Sequence, residues 1–243
     1  VSVIEHEAIA SAWEKTSMTT KTRIEVRPMT GALGAEIFGV DIAKMDDATF
    51  DEIYAAFLEH LVIFFRDQEI TPEQQLAFAH RFGEIHTHPY MKGLDDYPEI
   101  LEIVREKDAS IVFGEEWHSD HSFQPLPASY SFLRATAQVT PYGTNNTEFA
   151  HCEAAWDAYS DTMKQLLLPL DAYHSAGKAY GDGAKYGKTT PNSREAMLET
   201  SSMTFLVEKE EEIIPDCIHP VVVRHPETGR DAVFISETFT NGI

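Results

Sequence analysis

The chain has 243 residues, 43% of them hydrophobic and 11% aromatic, enough for one sizeable core. A formal net charge of -21 argues against a phosphate-backbone partner, since nucleic-acid binders carry basic stripes. It leaves room for a small anionic substrate in a buried pocket. No apolar run reaches the roughly 18 residues needed to span a bilayer, no secretory h-region opens the chain, and Cys152 and Cys217 are too few for a disulfide scaffold. A cytoplasmic protein with two free thiols is therefore expected.

Residues 1–17 read as an N-terminal extension, and one domain is expected over 18–243. Arg23 to Met29 alternates as a strand, Gly31 and Gly34 mark a turn, and Ala35 to Asp41 resumes as a strand. Asp46 or Asp47 caps a helix whose stripe is Phe50, Ile53, Tyr54, Phe57, Leu58 and Leu61. Leu61 to Phe65 reads as a buried strand. Thr71-Pro72-Glu73-Gln74 has the form of a capping box with proline at the first helical position, opening a helix to about Phe82. His86-Thr87-His88 is a histidine pair spaced to serve as metal ligands or, more plainly, a loop pair lining a pocket or the surface. Glu99 to Val104 alternates as a strand, and residues 105–113 form a charged loop.

The organising stretch is Trp117-His118-Ser119-Asp120-His121-Ser122-Phe123. On an extended strand His118 and Asp120 share a face, with Ser119 turned away. With a second, distant histidine they would make a 2-His-1-carboxylate triad, the open site suited to non-heme Fe(II). The triplet alone is weak: in a chain with 11 His, about one chance His-x-Asp is expected. Ala128 to Ala135 reads as a strand, Pro141-Tyr142-Gly143 as a turn, and Thr147 to Ala150 as a short strand. Helices are expected at Glu153–Tyr159 and at Asp161–Leu168, the second capped by Ser160. Residues 177–203 lack periodicity and have the composition of a lid. Residues 208–212 are mostly acidic. His219 to Arg224 and Asp231 to Ile235 flank Pro226-Glu227-Thr228-Gly229 as a hairpin. The expected class is mostly β with flanking helices, a double-stranded β-helix or jelly-roll.

These segments, in order, resemble the TauD/TfdA family of Fe(II)/2-oxoglutarate-dependent dioxygenases, whose jelly-roll is clavaminate synthase-like. The resemblance runs from Ile24 to Ile243. It includes Gly31 to Glu36, Val62 to Gln68, Phe82-Gly83-Glu84, Trp117 to Asp120, Ala154 to Ser160 and the late hairpin. It implies that His118 and Asp120 are iron ligands and that Thr147 contacts 2-oxoglutarate. The family usually has Gly-Gly-Asp-Thr where this chain has Gly143-Thr144-Asn145-Asn146-Thr147, so Asn146 is assigned with Thr147 to the cosubstrate loop. His88 and Phe239 match residues near the substrate, and Tyr90 or Met91 takes the neighbouring position.

The resemblance further implies hydroxylation of a small anionic organic molecule of the taurine or sulfonate class, with O2 consumed and succinate and CO2 released. By the same resemblance Asp120 speaks for hydroxylation, or a desaturation or hydroxylation-driven cleavage, because halogenating relatives carry a small residue there. A homo-oligomer, dimer or tetramer, is expected. The family's distal histidine and its 2-oxoglutarate-binding arginine lie beyond the late hairpin; His174, His219 and His225 match neither. The C-terminal part of the domain is therefore expected to be missing, and the alternative is a truncated, non-catalytic jelly-roll remnant or binding module. A zinc hydrolase is the weakest reading, since no His-Glu-x-x-His occurs.

Overall fold

The computed structural model describes residues 23–104, 114, 116–136, 146–180, 206 and 216–243. The expected extension, the charged loop, the Pro141 turn, most of the lid segment and the acidic run lie outside the described residues. The chain divides after Glu69 into two compact units. No helix among the described residues is long and apolar enough to cross a membrane.

In the first unit β1 (Glu25–Pro28) pairs antiparallel with β2 (Ala35–Phe38), which pairs parallel with β3 (Ile63–Phe65). The parallel pairing needs a crossover, and α1 (Asp47–His60) supplies it. Asp46 caps α1, its carboxylate accepting from the Thr49 amide at 2.8 Å. Leu61 ends the helix in the left-handed region, φ 65°, and its amide reaches the Phe57 carbonyl. That reversal is why the strand starts at Ile63 rather than Leu61. Of the expected stripe only Ile53 is fully buried, and it packs with Ile24, Ile37 and Ala56. Ile53→Ala is expected to cost about 2–5 kcal/mol, read as a lower urea midpoint at unchanged slope.

The second unit opens with α2 (Pro72–His80), whose capping box is complete: Thr71 Oγ1 accepts from the Gln74 amide and Gln74 Oε1 from the Thr71 amide. Next come α3 (Cys152–Ala158) and α4 (Asp161–Leu167), the latter capped by Ser160, then β4 (Asp171–His174) and a short α5 (Gly177–Tyr180). The chain closes with β5 (Cys217–Pro220), β6 (Val222–Arg224), β7 (Asp231–Val233) and β8 (Thr240–Gly242). β4 lies between β5 and β8, antiparallel to both, and β6 pairs with β7 as the expected hairpin. Glu153 on α3 is buried and pairs with Arg230 at 2.9 Å, tying α3 to the hairpin turn.

Three expected strands are not strands. Residues 99–104 form no ladder; Ile100 instead closes a loop, accepting from Leu94 N and donating to Tyr97 O. Residues 128–135 and 147–150 are extended or irregular without ladder partners. The alternation at 128–135 is still real. Tyr130 and Phe132 pack edge-on against Phe82, and Phe132 also against Phe78 of α2. Ser131 therefore projects the other way.

Candidate metal centre

His118 and Asp120 do converge, but not on a strand. Residues 117–119 are irregular and Asp120 opens a turn. Ser122 N donates to Ser119 O and Gln124 N to His121 O, while His121 adopts φ 54°. Histidine is among the few non-glycine residues that enter this region with some frequency. The turn replaces the expected pleat, and two-residue spacing still brings both side chains together.

His118 Nε2 lies 3.2 Å from Asp120 Oδ1. The other imidazole nitrogen, Nδ1, donates to the Glu116 carbonyl at 2.7 Å. A backbone acceptor on Nδ1 fixes the ring and directs Nε2 outward, the arrangement metal-binding histidines use. Asp120 is oriented in turn by the Ser131 hydroxyl, which donates to Oδ2. The hydrogen bond from His118, aided by Ser131, holds the Asp120 carboxyl down at about 2. The carboxylate of Asp120 raises the His118 pKa, with burial opposing. Gly114 lies beside this ring with φ +77°, and a Cβ there would sit 3.5 Å from His118 Cε1.

A cation between Nε2 and Oδ1 would replace the shared proton with a stronger positive charge. One nitrogen and one carboxylate suit Fe(II) among other divalent ions. Among the described residues no group of three or more His, Cys, Asp or Glu is placed to hold a metal. His174, His219 and His225 are engaged elsewhere. His174 Nδ1 bonds the Ser122 hydroxyl at 3.0 Å, His219 Nε2 donates to Gln124 O, and His225 Nδ1 accepts amides of its own turn.

The three residues expected near the substrate are gathered beside this pair. Tyr90 (1% exposed) and Phe239 (4%) share a cluster with Phe123, Tyr180 and Met91. The Phe239 ring is 6.2 Å from that of His118. Tyr90 N donates to His88 Nδ1 at 3.1 Å, so His88 carries its proton on Nε2 and donates to Tyr180 Oη at 3.2 Å. Burial drives the His88 pKa down to about 3, helped by His121. Tyr180 stays protonated, its pKa raised by burial and by the Asp120 charge. Thr147 and Asn146 are exposed, in an irregular segment rather than a strand, and make no described contact with His118 or Asp120.

Two residues were missed from sequence. His121 sits between the rings of His86 (5.1 Å) and His88 (4.9 Å), with its Nδ1 buried and unpartnered. Tyr180 fell in a segment read as a lid. The signal for both was proximity in space, which spacing along the chain does not carry.

The profile of the taurine catabolism dioxygenase TauD, TfdA family matches residues 25–243. An alkylsulfatase of Acinetobacter baylyi is 31% identical over 219 residues, spanning 89% of this chain and 64% of that protein. An (S)-phenoxypropionate/alpha-ketoglutarate-dioxygenase of Sphingobium herbicidovorans is 31% identical, spanning 87% of this chain and 70% of that one. The crystal structure of a taurine dioxygenase from Burkholderia xenovorans superposes with a TM-score of 0.57 at 25% identity, over 90% of this chain and 65% of that chain.

Proposed function

Since the chain belongs to the TauD, TfdA family of dioxygenases, we propose that it carries the iron-binding part of a 2-oxoglutarate-dependent hydroxylase for small anionic organic substrates. The fold is the jelly-roll of that family, and its members use Fe(II) and 2-oxoglutarate. The observation that carries the reading is the 3.2 Å approach of His118 Nε2 to Asp120 Oδ1, with the far nitrogen pinned by Glu116 O.

In this reading His118 and Asp120 hold the iron. When bound, iron and 2-oxoglutarate supply O2 activation and substrate oxidation, with succinate and CO2 released. The protein's own residues orient and shield. Ser131 holds Oδ2 of Asp120 so that Oδ1 faces His118. His88, Tyr90 and Phe239 form the substrate wall, and Tyr180 keeps its proton beside Asp120. Thr147 and Asn146 are assigned to 2-oxoglutarate. A sulfonate, sulfate ester or aryloxy acid matches the chemistry named for the relatives. A cytoplasmic homo-oligomer belongs to the same reading.

The test is anaerobic titration with Fe(II) and 2-oxoglutarate, followed by O2 with an alkyl sulfate, a sulfonate or a phenoxypropionate. A metal-to-ligand charge-transfer band and succinate release are expected; a mixture that never forms succinate counts against the proposal. A second reading, a non-catalytic binding module, is favoured by one observation: two side chains, not three, meet at the centre among the described residues. Substrate binding without any charge-transfer band would support it.

A further inference from the structure

The segment bearing His118 and Asp120 has no strand partner, yet it is tied at three places to groups from elsewhere in the second unit, twice through its backbone carbonyls and once through a side chain. Trp117 O accepts from both N and Oγ1 of Thr238, each at 3.2 Å. The Ser122 hydroxyl bonds His174 Nδ1 at 3.0 Å, and Gln124 O accepts from His219 Nε2 at 2.9 Å. The two imidazoles come from paired strands, β4 and β5, where Ala172 faces His219 and His174 faces Cys217. Their rings meet edge to face at 5.2 Å, and Phe234 stacks on His174 at 5.3 Å and 18°. His174 and Ser122 are both fully buried, so neither exchanges its partner for solvent.

We propose that His174, acting through Ser122 and braced by His219, is a positioning residue that sets the separation of His118 and Asp120 and so the metal affinity of the site. The inference rests on the metal reading above. Ser122 is two residues beyond Asp120, across the left-handed turn at His121. Metal–ligand distances tolerate deviations of only about 0.2 Å, so a small drift at Ser122 reaches the carboxylate as lost coordination. Outer-shell partners of metal ligands are typically worth about 10- to 100-fold in metal affinity. An effect relayed through the backbone belongs at the lower end, about tenfold.

The experiment uses the full chain as Ser122→Ala, His174→Phe and the double variant. It reads thermal midpoint, Mn(II) affinity, and the imidazole 15N signal of His118 in metal-free protein. Each single variant leaves a buried polar atom unpaired and should lower the thermal midpoint. The double variant replaces both partners with apolar groups, and its midpoint should recover. If the clamp positions the pair, Mn(II) affinity in the double variant stays about tenfold weak, and the His118 signal stays shifted. Recovery of affinity to within about twofold of wild type, or an unmoved His118 signal, overturns the proposal. Should a single variant fail to fold, the double variant decides. Should the wild type bind no metal, the iron reading falls, and the His118 signal alone judges the clamp.

Discussion

Asp120→Asn is expected to abolish useful ferrous-ion binding, lowering affinity by more than about 100-fold, beyond what loss of an outer-shell partner costs. The amide keeps the shape but loses the charge, so one of the two converging groups no longer attracts a cation. His118 should respond in the metal-free protein. Its raised pKa comes first from the Asp120 hydrogen bond, so it should fall in the variant. The pH dependence has two opposite signs. In metal-free protein the pair stabilises the fold fully between the ordinary values of the two groups, 3.8 for the carboxyl and 6.5 for the imidazole. The Asp120 part is lost as pH falls through its folded value, and the His118 part as pH rises through its own. Both side chains are partly solvated, so these contributions are small. Metal binding instead requires neutral imidazole. Affinity should fall as pH drops through the His118 pKa, and calorimetric titration across that range reads it. An Asp120→Asn protein with wild-type iron affinity would remove Asp120 from the centre.

Gly93→Ala is expected to destabilise the second unit by about 3 kcal/mol, the upper end for overpacking. A Cβ at Gly93 would strike the Pro98 carbonyl oxygen, and it would lie 2.7 Å from Pro98 C and 2.9 Å from Ile100 O. All three obstacles are backbone, so no side chain can swing aside. The loop they form is closed by Leu94 N to Ile100 O and Ile100 N to Tyr97 O, and Tyr97 is fastened to Glu73 of α2. It also follows directly on Tyr90 and Met91, both buried beside the candidate site. Urea unfolding should show the loss; a midpoint within error of wild type would show that the loop yields freely.

The sequence was most readable where one residue type answers one local demand. Thr71, Pro72 and Gln74 specify their capping box without help from the rest of the chain, and α1 follows from its stripe and Asp46. His118 and Asp120 were legible as chemistry but not as geometry. A spacing of two serves a pleat and a turn alike, and the deciding feature, a left-handed His121, leaves no glycine to mark it. β4 and β8 were illegible for another reason. Asp171-Ala172-Tyr173-His174 is short and polar, Thr240-Asn241-Gly242 has the composition of a turn, and a register shift separates their pairing. Only its ladders with β5 and β8 make β4 a strand. Tyr130 and Phe132 kept their shared face without a ladder, because Phe78 of α2 and Phe82 just beyond it offered them aromatic partners. The Thr147 assignment rested on resemblance, and its exposed position gives it no local support.

The Tyr90 amide on His88 Nδ1, together with a pKa near 3, makes that ring a fixed dipole rather than a switchable cation. From mildly acid to alkaline solution it presents the same face. Counter-ions find no formal charge there to screen. On the proposed substrate-binding reading, selection along this wall depends on direction and fit, the kind of discrimination that separates isosteres and is indifferent to ionic strength.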